Sequence, residues 1–135
     1  MKQLTIKADI SQLDQVLAFA DDILEGVDCP EEAKIQIDIA IEEIFINIAR
    51  YAYPDGEGYV GIEVKADSSA GSVQIVFKDE GIPYNPLENK DPDISLSAEE
   101  RPIGGLGIFM VKESMDEISY EYKDGKNLLT IKKYF

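Results

Sequence analysis

Pro30-Glu31-Glu32-Ala33-Lys34-Ile35-Gln36-Ile37-Asp38-Ile39-Ala40-Ile41-Glu42-Glu43-Ile44-Phe45-Ile46-Asn47-Ile48-Ala49-Arg50-Tyr51 is the stretch whose reading decides the fold. Proline suits the first turn of a helix, where its missing N–H would find no partner anyway, and two glutamates suit the positive end of the helix dipole. The run that follows predicts one long helix from Pro30 to Tyr51, apolar almost all round at Ile35, Ile37, Ile39, Ile41, Ile44, Phe45, Ile46 and Ile48. A helix of that kind is expected to be covered on more than one side. Pro54-Asp55-Gly56 closes it with turn chemistry.

Outward from this helix the periodicity changes. Gln3 to Asp9 alternates apolar Leu4, Ile6 and Ala8 with polar Thr5 and Lys7, the period of two of a half-buried strand. Ser11 is placed to cap a first helix that carries Leu13, Val16, Leu17, Ala20, Ile23 and Leu24 down to Gly26. Tyr59 to Ala66 and Ser72 to Lys78, joined by Asp67-Ser68-Ser69-Ala70-Gly71, read as an antiparallel pair. The segment 81–101 is irregular and rich in proline and acid, and so long a connection is usually functional or mobile. Gly107 to Met115 returns to helical spacing, and Ile118 to Tyr122 and Leu128 to Tyr134 flank Lys123-Asp124-Gly125-Lys126 as a hairpin. The order predicts an α+β fold: a two-layer sandwich whose mixed, mostly antiparallel sheet is covered on one face by helices. With no internal repeat or boundary, residues 1–135 are expected to form a single domain.

Composition narrows the function classes. The 135 residues carry 13 Lys and Arg against 27 Asp and Glu, a net charge of −14 that repels phosphate backbones and anionic lipid, so nucleic acid and membrane are poor partners. Met1 to Lys7 lacks the apolar stretch of a signal peptide, and no run approaches the roughly 20 apolar residues of a membrane helix. A cytoplasmic location is expected. The single cysteine, Cys29, excludes an intrachain disulfide. The absence of histidine removes the Ser-His-Asp triad, His-ligated zinc and a phosphoaccepting imidazole, leaving acid-base chemistry to carboxylates.

Three stations carry the chemistry. Glu43 and Asn47 are four apart on the long helix and project together, where the Asn47 carbonyl oxygen can coordinate a hard cation such as Mg²⁺ and Glu43 can accept a proton. Asp79-Glu80-Gly81-Ile82-Pro83 lies where a strand leaves the sheet; a carboxylate there can take an exocyclic amine, and Gly81 would let a flat ring approach the backbone. Adenine presents such an amine, whereas guanine presents a carbonyl. Gly104-Gly105-Leu106-Gly107 precedes a helix, where free N–H groups and the dipole favour an anion, although no Walker lysine accompanies it.

Taken together, these residues resemble the GHKL (Bergerat-fold) ATPases over essentially the whole chain, and within them the small anti-sigma factor serine/threonine kinases. Glu43, Asn47, Tyr53, Asp79, Gly81, Pro83, Gly105 and Gly107 fall on the family's motifs in order, and Met115-Asp116-Glu117 resembles its C-terminal portion. The resemblance implies bound ATP with magnesium: Asp79 takes the adenine amine, Asn47 holds Mg²⁺, Gly104 to Gly107 line the phosphates, Glu43 acts as base, and Thr130 on the last strand assists adenine binding. It also implies a sigma factor or analogous regulator and an anti-anti-sigma antagonist protein as partners, and a homodimer.

Two departures bear on phosphoryl transfer. Gly104 stands where many of these kinases carry a basic residue, with Arg101 three positions earlier as the substitute, and Tyr51 replaces a frequent histidine. The alternative to a kinase is therefore a non-kinase, ATP-dependent interaction module.

Overall fold

The computed structural model describes residues 1–88 and 106–135. Eight regular elements follow the expected order: β1 (Lys2–Lys7), α1 (Leu13–Glu25), α2 (Glu31–Tyr51), β2 (Tyr59–Asp67), β3 (Ser72–Asp79), α3 (Leu106–Ser114), β4 (Glu117–Lys123) and β5 (Lys126–Tyr134). Pro30 stands at the N-cap of α2. The expected Ser11 cap is replaced: the Asp9 carboxylate accepts the Ser11 N–H at 3.0 Å and starts a short 3₁₀ turn that feeds α1. Aspartate two residues upstream satisfies the free amide as well as a serine hydroxyl would.

The five strands lie in the order β1-β2-β3-β5-β4. All four pairings are antiparallel, so no two neighbouring strands run parallel. β3 occupies the middle, held along its length by β2 and β5. Asp124 and Gly125 adopt φ of 55° and 77° in the β4–β5 turn, the left-handed pair of a type I′ hairpin that an Asp-Gly sequence supplies.

Alternation along the strands turns Val60, Ile62 and Val64, Val73, Ile75 and Phe77, and Leu129 and Ile131 toward the helices, where each is buried. Against them pack Val16, Ala20 and Leu24 of α1 and Ile37, Ile41, Ile44 and Phe45 of α2. Two fully buried rings, Phe45 and Phe77, join α2 to the central strand in this one core. The long helix is not covered all round: Ile35 and Ile39 remain 51% and 41% exposed. A two-layer sandwich buries the sheet-facing stripe of a helix and leaves the opposite stripe outside, whatever its residues.

A polar seam joins α1 to α2. Lys34 Nζ lies 3.8 Å from Asp21 Oδ2 and 4.0 Å from Asp38 Oδ2, while Asp21 Oδ1 and Asp38 Oδ1 are buried without a hydrogen-bond partner among the described residues. Burial, reinforced by the neighbouring Asp21 carboxylate, pushes Asp38 up to about 7. Unfolded, Asp38 releases its proton near 3.8; folded, it keeps the proton until about 7. The folded state holds the extra proton across that window, so this group's contribution to stability is lost as pH rises through it. Asp38→Asn is expected to raise the urea midpoint at pH 8 and to flatten the loss of stability between pH 4 and 8; an unchanged midpoint at pH 8 refutes the assignment.

Candidate functional site

Where β3 ends and β5 begins, beside the C-terminal half of α2, the sandwich opens into an apolar pocket with an empty volume of about 470 Å³, part of it open to solvent. Ile44, Asn47, Ile48, Tyr51 and Ala52 form the wall from α2 and its end. Asp79, Ile82, Tyr84 and Pro86 form the floor and one side, and Ile108, Tyr120, Asn127 and Leu129 close the other. The carboxylate of Asp79 and the amides of Asn47 and Asn127 are the strongly polar groups in this lining.

Asp79 is the last residue of β3, and only 6% of it is exposed. A carboxylate so placed needs partners. The Gly81 N–H donates to its Oδ1 at 2.9 Å and Asn127 Nδ2 donates to the same oxygen at 2.9 Å. Burial pushes the Asp79 carboxyl above the ordinary aspartate value, opposed by the Asn127 and Gly81 donors. Asn127 reaches it because Asp79 and Asn127 are paired residues across β3 and β5 and share a face.

The turn after Asp79 is built against the end of α2. Ile82 N donates to the Ala52 carbonyl at 2.9 Å, and a Cβ on Gly81 would lie 2.3 Å from that carbonyl oxygen. Glycine is required here to clear a helix end, a constraint separate from the expected approach of a ring. Tyr53 ties the same corner: its hydroxyl donates to the Tyr59 carbonyl at 2.6 Å and accepts the Glu80 N–H at 2.9 Å.

Glu43 and Asn47 lie one helical turn apart and are half-buried. Asn47 lines the pocket; Glu43 lies at the first turn of α3, where a Cβ on Gly107 would fall 2.0 Å from its Oε2. The backbone of α3 thus approaches the Glu43 carboxylate at the place where that helix begins. Leu106 opens α3, whereas Arg101, Gly104 and Gly105 lie outside the described residues.

Two of the expected site residues lie outside this lining. Thr130 is on the opposite face of β5 from Asn127 and Leu129, as strand alternation demands, and does not line the pocket. Pro83 is exposed and outside the lining, which takes Ile82 and Tyr84 from either side of it and Pro86 beyond. The residues that sequence reading missed are Asn127, which donates to Asp79, and Tyr120 and Tyr84, which donate to Asn127. The Asp-Gly hairpin fixes Asn127 two residues after its turn, but only the β3–β5 register shows that it meets Asp79.

Among the described residues no group of three Asp, Glu or Cys could hold a metal ion. Asn47 offers one neutral oxygen, which fits a Mg²⁺ carried in on phosphates and water and does not fit a free-standing metal centre.

A model of the histidine kinase-like ATPase domain matches residues 6–133. The chain belongs to this family. This histidine kinase-like ATPase domain is 24% identical over 98 residues to the serine/threonine-protein kinase BtrW of Bordetella bronchiseptica, covering 73% of this chain and 68% of that relative. It is 28% identical over 96 residues to the serine-protein kinase RsbW of Bacillus thuringiensis, covering 70% of this chain and 60% of that one. The crystal structure of the RsbU and RsbW domains of Rv1364c from Mycobacterium tuberculosis shares the fold, with a TM-score of 0.62 at 18% identity over 99% of this chain and 32% of the other. No described helix is long and apolar enough to cross a membrane.

The Gly81 contact makes a sharp test of the corner. Gly81→Ala is expected to destabilise the domain by about 1–3 kcal/mol, since the Cβ meets backbone that cannot swing aside. Gly56→Ala, at a position with nothing within 4 Å of a Cβ, is the control, and equal melting temperatures for the two variants contradict the packing described.

Proposed function

We propose that the chain is an ATP-binding regulatory kinase of the anti-sigma type, which transfers the γ-phosphate of ATP to a serine or threonine of an antagonist protein and also binds a sigma factor or analogous regulator. The observation that carries the reading is the buried Asp79 at the floor of an apolar pocket, with Asn47 on its wall and Glu43 one turn earlier on α2. Membership in the ATPase family and likeness to proteins named serine kinases support it. The chain spans 60% of the RsbW relative and 32% of the solved one, so partners and substrate rest on this proposal.

In this reading Asp79 accepts a hydrogen bond from the adenine amine, and Ile44, Ile48, Ile82 and Leu129 cover the base with apolar surface. Asn47 would hold Mg²⁺, which when bound neutralises charge that develops on the phosphates. Glu43 takes the proton from the attacking hydroxyl as the oxygen–phosphorus bond forms and the bond to the leaving ADP breaks. Arg101 and the glycines Gly104, Gly105 and Gly107 are assigned to the phosphate end, with Leu106 between them.

One observation favours the second reading, a non-kinase module in which bound nucleotide selects a protein partner: Gly104 occupies the place of a basic residue that would neutralise the terminal phosphate. Glu43→Ala separates the two. The kinase reading expects ATP affinity within a few-fold of the parent and loss of at least about 100-fold in labelled phosphate transfer to a cognate antagonist, the scale of a removed general base. A parent protein that binds ATP yet transfers nothing to any cognate antagonist overturns the kinase reading.

Calorimetric titration tests the nucleotide itself. Asp79→Ala is expected to abolish ATP binding, whereas Asn47→Ala keeps ATP binding and loses its enhancement by Mg²⁺. Absence of heat with both ATP and ADP in the parent protein overturns both readings.

A further inference from the structure

Asn127 is buried, with 6% of its surface exposed, and its whole hydrogen-bonding capacity is spent inside the protein. Its Nδ2 donates to Asp79 Oδ1 at 2.9 Å and to the Ile82 carbonyl at 2.9 Å. Its Oδ1 accepts the Tyr84 N–H at 3.2 Å and the Tyr120 hydroxyl. A carboxamide has two donor hydrogens and two acceptor lone pairs, so none remains for a ligand. Asn127 lines the pocket without being available to read what enters it.

Asp79 shows the complementary pattern. Both of its donors, Asn127 Nδ2 and Gly81 N, fall on Oδ1, and among the described residues no hydrogen bond reaches Oδ2. Asp79 lines the pocket, so Oδ2 is the oxygen left for a ligand. Its charge then decides what it can recognise. An ionised Oδ2 only accepts, and suits an exocyclic amine; a protonated one donates, and suits a carbonyl at the same position.

Resting on the nucleotide-binding reading above, we infer that Asn127 is the positioning residue that fixes the base selectivity of this pocket, by holding Asp79 as an acceptor aimed at an amino-substituted ring. Two donors on one oxygen stabilise the carboxylate over the acid. Burial acts in the opposite direction and raises the Asp79 carboxyl, so removal of one donor leaves burial less opposed. The phenols of Tyr53 and Tyr120 act on Asp79 as neighbours, and burial pushes both further up, away from neutrality. Glu80 and Glu88 are the other acids on this side, Tyr84 and Tyr122 are the remaining phenols, and Lys78 and Lys126 flank the strand ends on the other side.

The test compares MgATP with MgITP, which carries a carbonyl where adenine has its amine, by calorimetry at several pH values from 5 to 8. The parent is expected to prefer ATP by at least about tenfold at pH 8 and to lose preference as pH falls. In Asn127→Ala the same loss is expected at least about one pH unit higher, and Tyr120→Phe moves it in the same direction by less. Repeating the titrations in a Glu80→Gln, Glu88→Gln background isolates Asp79, and the shift between parent and Asn127→Ala is expected to persist there.

A second measurement needs no nucleotide: the carbon-13 shift of the Asp79 carboxyl followed against pH, expected to titrate at higher pH in Asn127→Ala and Tyr120→Phe than in the parent. Superimposed profiles in folded variants overturn the role of Asn127. If Asn127→Ala does not fold, Tyr120→Phe decides in the same way. A parent that binds neither nucleotide while the carboxyl midpoint still moves defeats the nucleotide reading and not the coupling between Asn127 and Asp79. A parent that binds both equally at pH 8 defeats the selectivity.

Discussion

The structure turns on one buried carboxylate at the end of its central strand. Ionised, Asp79 would be costly to bury without donors, and the protein supplies them from two directions, a backbone N–H two residues on and an amide from the neighbouring strand. Each donor commits a piece of the fold. The Gly81 amide requires the chain to turn sharply against α2, which a residue with a Cβ could not do. The Asn127 amide requires β5 to pair with β3 in one register, since a slip of one residue would turn it to the other face. The end of α2, the end of β3 and the start of β5 are thereby held at one corner, and the pocket is the space that corner encloses.

That arrangement separates rigidity from chemistry. At the Asp79 end, the groups are satisfied in advance: Asn127 has no free valence, Tyr53 bridges two backbone groups, and Ile82 is bonded to Ala52. In the proposed reading, recognition there falls to apolar walls and to Asp79 Oδ2, which no hydrogen bond reaches among the described residues, so that binding would require little reorganisation. At the other end, Glu43 and Asn47 stand half-buried on α2 beside the first turn of α3. In the proposed reading these are the groups that handle the transferred proton and the metal.

Helix α2 does three jobs with three stripes. Ile37, Ile41, Ile44 and Phe45 bind it to the sheet, Glu43 and Asn47 face the site, and Ile35 and Ile39 face solvent. A helix of 21 residues turns often enough to present all three, and the core stripe anchors the other two. Between the helices, the Asp21 and Asp38 pair, whose buried Oδ1 atoms lack a hydrogen-bond partner among the described residues, makes the α1–α2 seam sensitive to protons.

Much of this was legible in the residues themselves. The long helix, the strand and helix order, the Asp-Gly hairpin, and Glu43, Asn47 and Asp79 as polar groups out of place in apolar runs all follow from spacing over a few residues, which local sterics and periodicity dictate. That Ile35 and Ile39 stay exposed could not be read locally, because apolar character shows what a residue prefers, whereas the number of layers decides what it receives. That Thr130 and Pro83 lie outside the lining and that Gly81 packs against Ala52 depend on which face a strand turns and what stands behind a turn. By itself the sequence determined the elements and the carboxylate to be buried; only the tertiary structure decided that Asn127 would meet Asp79 across 48 residues of chain. Pairing between distant strands is settled by the whole sheet closing at once, and no local pattern records it.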